Sequence, residues 1–158
     1  MRRKQVVVIG SSDEKQYLDE AEQIGRYIAR QGWILITGGH GGVMEAASRG
    51  AYAENDLVVG ILPGQNHSES NQYCSVVIPT GIGSARNSIN ILSGDVIVAI
   101  GGKAGTLNEL TFAWLYHKPV ISCVFTGGWS RQITLSPVDD RDGHIYSANS
   151  LKEVYELL

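Results

Sequence analysis

Asp95-Val-Ile-Val-Ala-Ile-Gly-Gly-Lys-Ala-Gly-Thr-Leu-Asn-Glu-Leu-Thr-Phe-Ala-Trp-Leu-Tyr-His117 is the stretch that decides the fold. Val96 to Ile100 is apolar and mostly β-branched with no polar alternation, which suits a strand buried on both faces. Gly101, Gly102 and Gly105 interrupt the chain, and from Leu107 the apolar residues fall nearer to helical spacing. The stretch therefore reads as strand, glycine loop and helix N-terminus. Such a terminus presents unpaired backbone N–H groups at the positive end of the helix dipole, where anions bind.

The layout occurs twice. Upstream, Trp33 to Thr37 reads as a strand, Gly38-Gly-His-Gly-Gly42 as the loop, and Val43 to Asn55 as a helix burying Met44, Ala47, Ala51 and Tyr52. Two such loops in one small chain are a stronger signal for ligand approach than either alone, the competing reading being two tight strand-to-helix turns.

Working outward, Gln5 to Gly10 reads as the first strand and Gly10-Ser11-Ser12 as a turn. Ser12 or Asp13 is expected to cap a helix whose apolar stripe is Tyr17, Leu18, Ala21, Ile24, Ile28 and Ala29, ending at Gly32. Leu57 to Leu62 is a third strand stopped by Pro63-Gly64, Gln65 to Tyr73 a polar loop, and Ser75 to Ile78 a short strand. Ser84 to Ser93 reads as a helix and Pro119 to Phe125 as a strand. Thr126 to Trp129 is expected to be a loop, and Ile133 to Gly143 irregular. Asn149 or Ser150 is placed to cap a last helix, Leu151 to Leu158. Strands alternating with helices specify an α/β sandwich with a mostly parallel sheet, and 158 residues suit a single domain, 1–158. Ligands in such folds sit beyond the carboxyl ends of the strands, where both glycine loops, Gly10-Ser11-Ser12 and Pro63-Gly64 are expected to line one crevice.

Composition narrows the function. Nineteen glycines exceed the ~7% of an average chain, and they cluster after strands. A net charge of −3 argues against a broad electrostatic grip on nucleic acid, whereas a small phosphorylated ligand needs only one or two cations. Cys74 and Cys123 have neither metal spacing nor a disulfide framework and fit a reducing cytoplasm. Arg2-Arg3-Lys4 precedes an apolar run too short for a signal peptide, and no segment suits a membrane span.

Thr37-Gly-Gly-His-Gly-Gly-Val-Met44, Val58-Val-Gly-Ile-Leu-Pro63, Arg86 and Gly101-Gly-Lys-Ala-Gly-Thr-Leu-Asn-Glu109 resemble the SLOG superfamily of Rossmann-like proteins. That group includes the Lonely Guy (LOG) phosphoribohydrolases and the molybdenum cofactor carrier proteins. The likeness runs from the first strand to about Phe125 and is nearest to the short bacterial proteins related to the carriers. It implies a three-layer Rossmann-like sandwich and a homo-oligomer, either a dimer or a dimer of dimers, with Trp114 and Tyr116 as candidate contacts. The ligand it implies is a nucleoside monophosphate or a molybdopterin-type compound.

Laid on the LOG signature Pro-Gly-Gly-x-Gly-Thr-x-x-Glu, the chain keeps the first glycine (Gly102), the third (Gly105), Thr106 and Glu109, and Arg86 keeps its spacing to the glutamate. Gly101 replaces the proline and Lys103 the second glycine, a departure that favours binding over LOG hydrolysis.

The residues carry their own alternatives. Thr106-x-x-Glu109 also fits a capping box, against a functional reading in which Glu109 stabilises an oxocarbenium-like ribose and orients water. Arg86 is either a solvated charge or a clamp for phosphate or sugar hydroxyls. Lys103 is either a solvent-facing lysine or a point charge for phosphate, without the Gly-x-x-x-x-Gly-Lys-Ser/Thr pattern of a Walker motif. Glu45 complements a helix dipole. His40 lies in the first glycine loop without a partner at metal spacing, so no metal is expected. The candidate catalytic residues are Glu109 and Arg86. The candidate ligand-binding residues are Gly10, Ser11, Ser12, Gly38, Gly39, His40, Gly41, Gly42, Arg86, Gly101, Gly102, Lys103, Ala104, Gly105, Thr106 and Glu109.

Overall fold

A computed structural model describes residues 1–158. It contains seven strands: β1 (Gln5–Ile9), β2 (Ile34–Thr37), β3 (Val58–Leu62), β4 (Val76–Pro79), β5 (Val96–Ile100), β6 (Val120–Cys123) and β7 (Ile145–Ala148). The helices are α1 (Leu18–Arg30), α2 (Gly42–Ala53), α3 (Arg86–Ser93), α4 (Ala104–Leu115), α5 (Gly128–Gln132) and α6 (Leu151–Leu157). All pairings are parallel, in the order β4-β3-β2-β1-β5-β6-β7, so the sheet expected to be mostly parallel is wholly so.

Alternation within the strands builds both faces. Val6 and Val8 of β1 and Val96, Val98 and Ile100 of β5 join a core with α1, α2 and α6. Val7 and Ile9, with Ile97 and Ala99, point the other way into a core with Ile91 of α3 and Leu110 and Ala113 of α4. These strands carry no polar alternation because both faces are covered. The result is the three-layer Rossmann-like sandwich.

The order reverses between β1 and β5, whose register pairs Ile9 with Ala99. Parallel strands diverge to opposite sides there, opening a crevice beyond their carboxyl ends. Gly10 marks the crossing: a Cβ at this position would sit 2.6 Å from Val43 Cβ and 2.8 Å from the Ile100 carbonyl oxygen.

Several expectations shift. Neither Ser12 nor Asp13 caps α1; the helix starts only at Leu18, after Tyr17 in a left-handed conformation (φ 58°). Residues 13–16 are held as a loop because the Glu14 carboxylate accepts from the Lys15 and Gln16 amides. Tyr52 is exposed rather than inward, stacking its edge on Tyr73. Ser150 does cap α6, accepting from Glu153 N–H. The loop expected over Thr126 to Trp129 is cut short, for α5 begins at Gly128. Trp114 is buried within the chain, and its indole N–H donates to Asp139. Tyr116 remains exposed, stacked on Phe112.

Candidate functional site

The loops after β1 and β2 and the N-termini of α3 and α4 enclose a cleft of about 540 Å³ at the β1/β5 reversal. Of the residues singled out from sequence, Gly10, Ser11, Ser12, His40, Arg86, Lys103, Ala104, Gly105, Thr106 and Glu109 line it. Pro63, expected there with Gly64, lines it without its neighbour, and Asp13, Met44, Ser84 and Asn87 line it as well.

Gly38, Gly39, Gly41, Gly42, Gly101 and Gly102 stand behind the wall. The Gly101 amide donates to Thr126 Oγ1 at 2.7 Å, and its carbonyl accepts from both the amide and hydroxyl of Ser130. A Cβ on Gly102 would meet Thr106. Gly41 and Gly42 let the β2 loop pass against the Ser11 and Ser12 carbonyls, and the Val43 amide donates to Ser11. Gly38 leaves room for a guanidinium: a Cβ there would lie 2.7 Å from Arg86 Nη1. These glycines serve close packing of the loops.

The first turn of α4 is the open part of the cleft. Lys103 is its N-cap residue and provides no side-chain hydrogen bond, so no protein group caps the amides of Ala104, Gly105 and Thr106. A Cβ on Gly105 would meet nothing within 4 Å. Thr106 is buried with its hydroxyl unpartnered. The helix begins at Ala104, so Thr106 is too far along to be the N-cap, and the capping-box reading of Thr106 and Glu109 is overturned.

Glu109 instead faces α3. Its Oε1 accepts from Asn90 Nδ2 at 3.1 Å and lies 3.8 Å from Arg86 Nη1. Burial pushes the Glu109 carboxyl up to about 7, against the opposing pull of Asn90 and Arg86. Arg86 is the first residue of α3 and is 7% exposed, not a solvated charge in a turn. It donates to Asn87 Oδ1 at 2.9 Å and to the Gly38 carbonyl at 3.4 Å, while its Nε has no partner. Burial lowers its pKa, and Glu109 works in the other direction. A buried ion pair with unspent donors is costly to keep and is suited to receiving a polar ligand. His40 also has a lowered pKa, from burial first and the nearby Arg86 second. At the mouth, Lys103 Nζ meets Asp13 at 2.6 Å, both side chains being largely exposed.

Besides the lining residues Asp13, Met44, Ser84 and Asn87, sequence reasoning missed the buried Asn90. Its signal is the Arg86-x-x-x-Asn90 spacing, which puts both side chains on one face of a helix.

Residues 3–155 match the model of the SLOG cluster4 family. The chain belongs to that family. Among solved structures, this SLOG chain is similar to the molybdenum cofactor binding protein of the phototrophic bacterium Rippkaea orientalis. The two are 36% identical with a TM-score of 0.87, covering 99% of this chain and 96% of that one. It is similar to the Moco carrier protein of Chlamydomonas reinhardtii at 32% identity and a TM-score of 0.84, covering 99% and 95%. A more distant relative is the cytokinin riboside 5′-monophosphate phosphoribohydrolase of Mycobacterium tuberculosis. It is 28% identical over 125 residues, 73% of this chain and 67% of that protein. No helix of the SLOG chain is long and apolar enough to cross a membrane.

Proposed function

We propose that this single-domain SLOG protein binds a small phosphorylated cofactor of nucleotide-like or molybdopterin type, as a carrier does. The observation that carries the reading is the convergence of the uncapped α4 terminus with buried, unspent donors: Thr106 Oγ1 and Arg86 Nε. A phosphate at Ala104–Thr106 would take up these amides and the threonine hydroxyl, with Lys103 adding a point charge from the rim. The cleft's size suits one nucleotide-sized ligand. The likeness to molybdenum cofactor carriers supports such a cargo.

A second reading is favoured by Glu109. A carboxyl near 7 beside a ribose is poised to take a proton from water and to steady a cationic sugar carbon. Water would add at C1′ as the glycosidic bond breaks, giving free base and ribose 5-phosphate from a nucleoside 5′-monophosphate. Lys103, where LOG enzymes have bare backbone, weighs against this reaction and toward binding.

Incubating the protein with AMP and following both thermal stability and released adenine separates the two. Stabilisation without adenine supports the carrier. Release that Glu109→Gln abolishes supports the hydrolase. No shift with any phosphorylated compound, a molybdopterin-type ligand included, would refute both.

A further inference from the structure

A groove of about 1000 Å³ adjoins the cleft on the far side of Lys103 and Ala104, which line both. Its walls include Gly127, Gly128, Trp129 and Arg131. The site described above uses none of these four. The groove is not loosely placed. The Trp129 amide donates to the Gly102 carbonyl at 3.2 Å, and the Ser130 amide donates to the Gly101 carbonyl at 2.9 Å. The start of α5 is thereby fixed to the loop that leads into α4.

Two side chains in this groove have polar groups left unspent, though Trp129 also packs against the core that holds Ile91 and Leu110. Arg131 is exposed, and neither an ion pair nor a side-chain hydrogen bond holds its guanidinium. The other seven arginines all have partners: Arg2, Arg3, Arg26, Arg30, Arg49, Arg86 and Arg141. Trp129 is half-buried, with no aromatic ring stacked on it and no acceptor for its indole N–H. A Cβ on Gly127 would meet nothing within 4 Å, so backbone and indole together leave an open floor. A flat ring beside an unpaired guanidinium takes an aromatic ring and an anion, and the anion of the first lobe lies next door at the α4 terminus.

Resting on the reading of the cleft as a phosphate site, we infer that the cleft and this groove are two lobes of one site for a dinucleotide-like ligand. In this arrangement a diphosphate bridge crosses Lys103 and Ala104. One nucleoside lies toward Arg86 and Glu109. The second ring lies on Trp129, with Arg131 on the second phosphate.

The test is calorimetric titration with AMP, ADP and diadenosine diphosphate, on the wild type and on Trp129→Ala and Arg131→Ala. Diadenosine diphosphate is expected to bind at least about tenfold more tightly than AMP, the worth of one stacked ring. Trp129→Ala should reduce that advantage to the level of ADP, and Arg131→Ala should weaken ADP and diadenosine diphosphate together. Both variants should bind AMP as the wild type does. AMP binding with no gain from the second nucleotide, or a gain that both variants retain, would overturn the two-lobed site and leave the phosphate cleft standing. Failure of all three compounds to bind would overturn the cleft reading and this inference with it. Circular dichroism of both variants separates lost binding from lost folding, and Trp129→Phe, which keeps a stacking surface, should restore most of the advantage.

Discussion

Arg86 Nη1 and Glu109 Oε1 lie 3.8 Å apart between α3 and α4, both side chains less than a tenth exposed. The separation is longer than a hydrogen bond, so the pair attracts without spending its donors on each other. Burial outweighs that attraction for the carboxyl, which sits near 7 against 4.5 for an ordinary glutamate. A carboxyl with a raised folded pKa contributes stability that is fully present below its unfolded value. That contribution is lost as pH rises through its folded value. Wild-type stability should therefore fall between about pH 4.5 and pH 7, by on the order of 3 kcal/mol from this group. Glu109→Gln should remove that slope. Urea denaturation of both proteins at several pH values checks this; parallel profiles would contradict the buried, proton-holding carboxyl.

Arg86 lowers the Glu109 pKa, so its removal should raise it. In Arg86→Met the Glu109 carboxyl should titrate above 7, followed by carboxyl carbon NMR with Glu109→Gln as the assignment control. The same variant should bind AMP at least about tenfold more weakly, since it removes a charge-assisted donor worth ~1.5–3 kcal/mol. Unchanged titration would mean that the two side chains do not feel one another.

The strand–loop–helix units around β2 and β5 were legible because buried parallel strands are apolar throughout and their helices keep a 3.6-residue period. Gly128–Gln132 and Ile145–Ala148 were not, being too short for any period to show, and β7 lies at the sheet edge with Tyr146 and Ser147 exposed. Glu109, Arg86 and Thr106 stood out through their match to the LOG signature. Asn90 did not, because an asparagine in an amphipathic helix reads as solvent-facing, and only tertiary structure shows it buried against a carboxylate. Nor does spacing reveal what a glycine makes room for. Gly38 makes room for Arg86, Gly42 for the Ser11 carbonyl, and Gly105 for nothing in the protein.

That last contrast predicts opposite outcomes for one kind of substitution. Gly105→Ala adds a methyl in the first turn of α4 where no atom lies within 4 Å. It should stabilise the fold by about 0.5–1 kcal/mol while weakening AMP at least about tenfold, because the methyl enters the phosphate's space. Gly42→Ala meets the Ser11 carbonyl at a positive φ of 59° and should destabilise by about 2 kcal/mol or more. Thermal unfolding with and without AMP reads both. A Gly105→Ala protein that binds AMP normally would place the phosphate elsewhere.

Asp13 and Lys103 close the mouth of the cleft by an exposed ion pair of 2.6 Å. Hydrogen bonding to Asp13 raises the Lys103 pKa, and the same contact lowers that of Asp13, so both stay charged across the neutral range. A carboxylate there repels an incoming phosphate and occupies the cation that would meet it. Asp13→Asn removes the repulsion and releases Lys103. AMP should then bind about two- to fivefold more tightly at low salt, and the advantage should shrink as ionic strength approaches ~1 M, because surface charges are screened over a few ångströms there. Lys103→Ala should reverse the sign, weakening AMP, and a further Asp13→Asn change should then gain less than it does in the wild type, since only the repulsion is left to remove. Titration of the single and double variants at two salt concentrations measures the coupling. Additive effects would show that the two residues act on the ligand separately, and weaker binding by Asp13→Asn would show that Asp13 aims the lysine at the phosphate rather than withholding it.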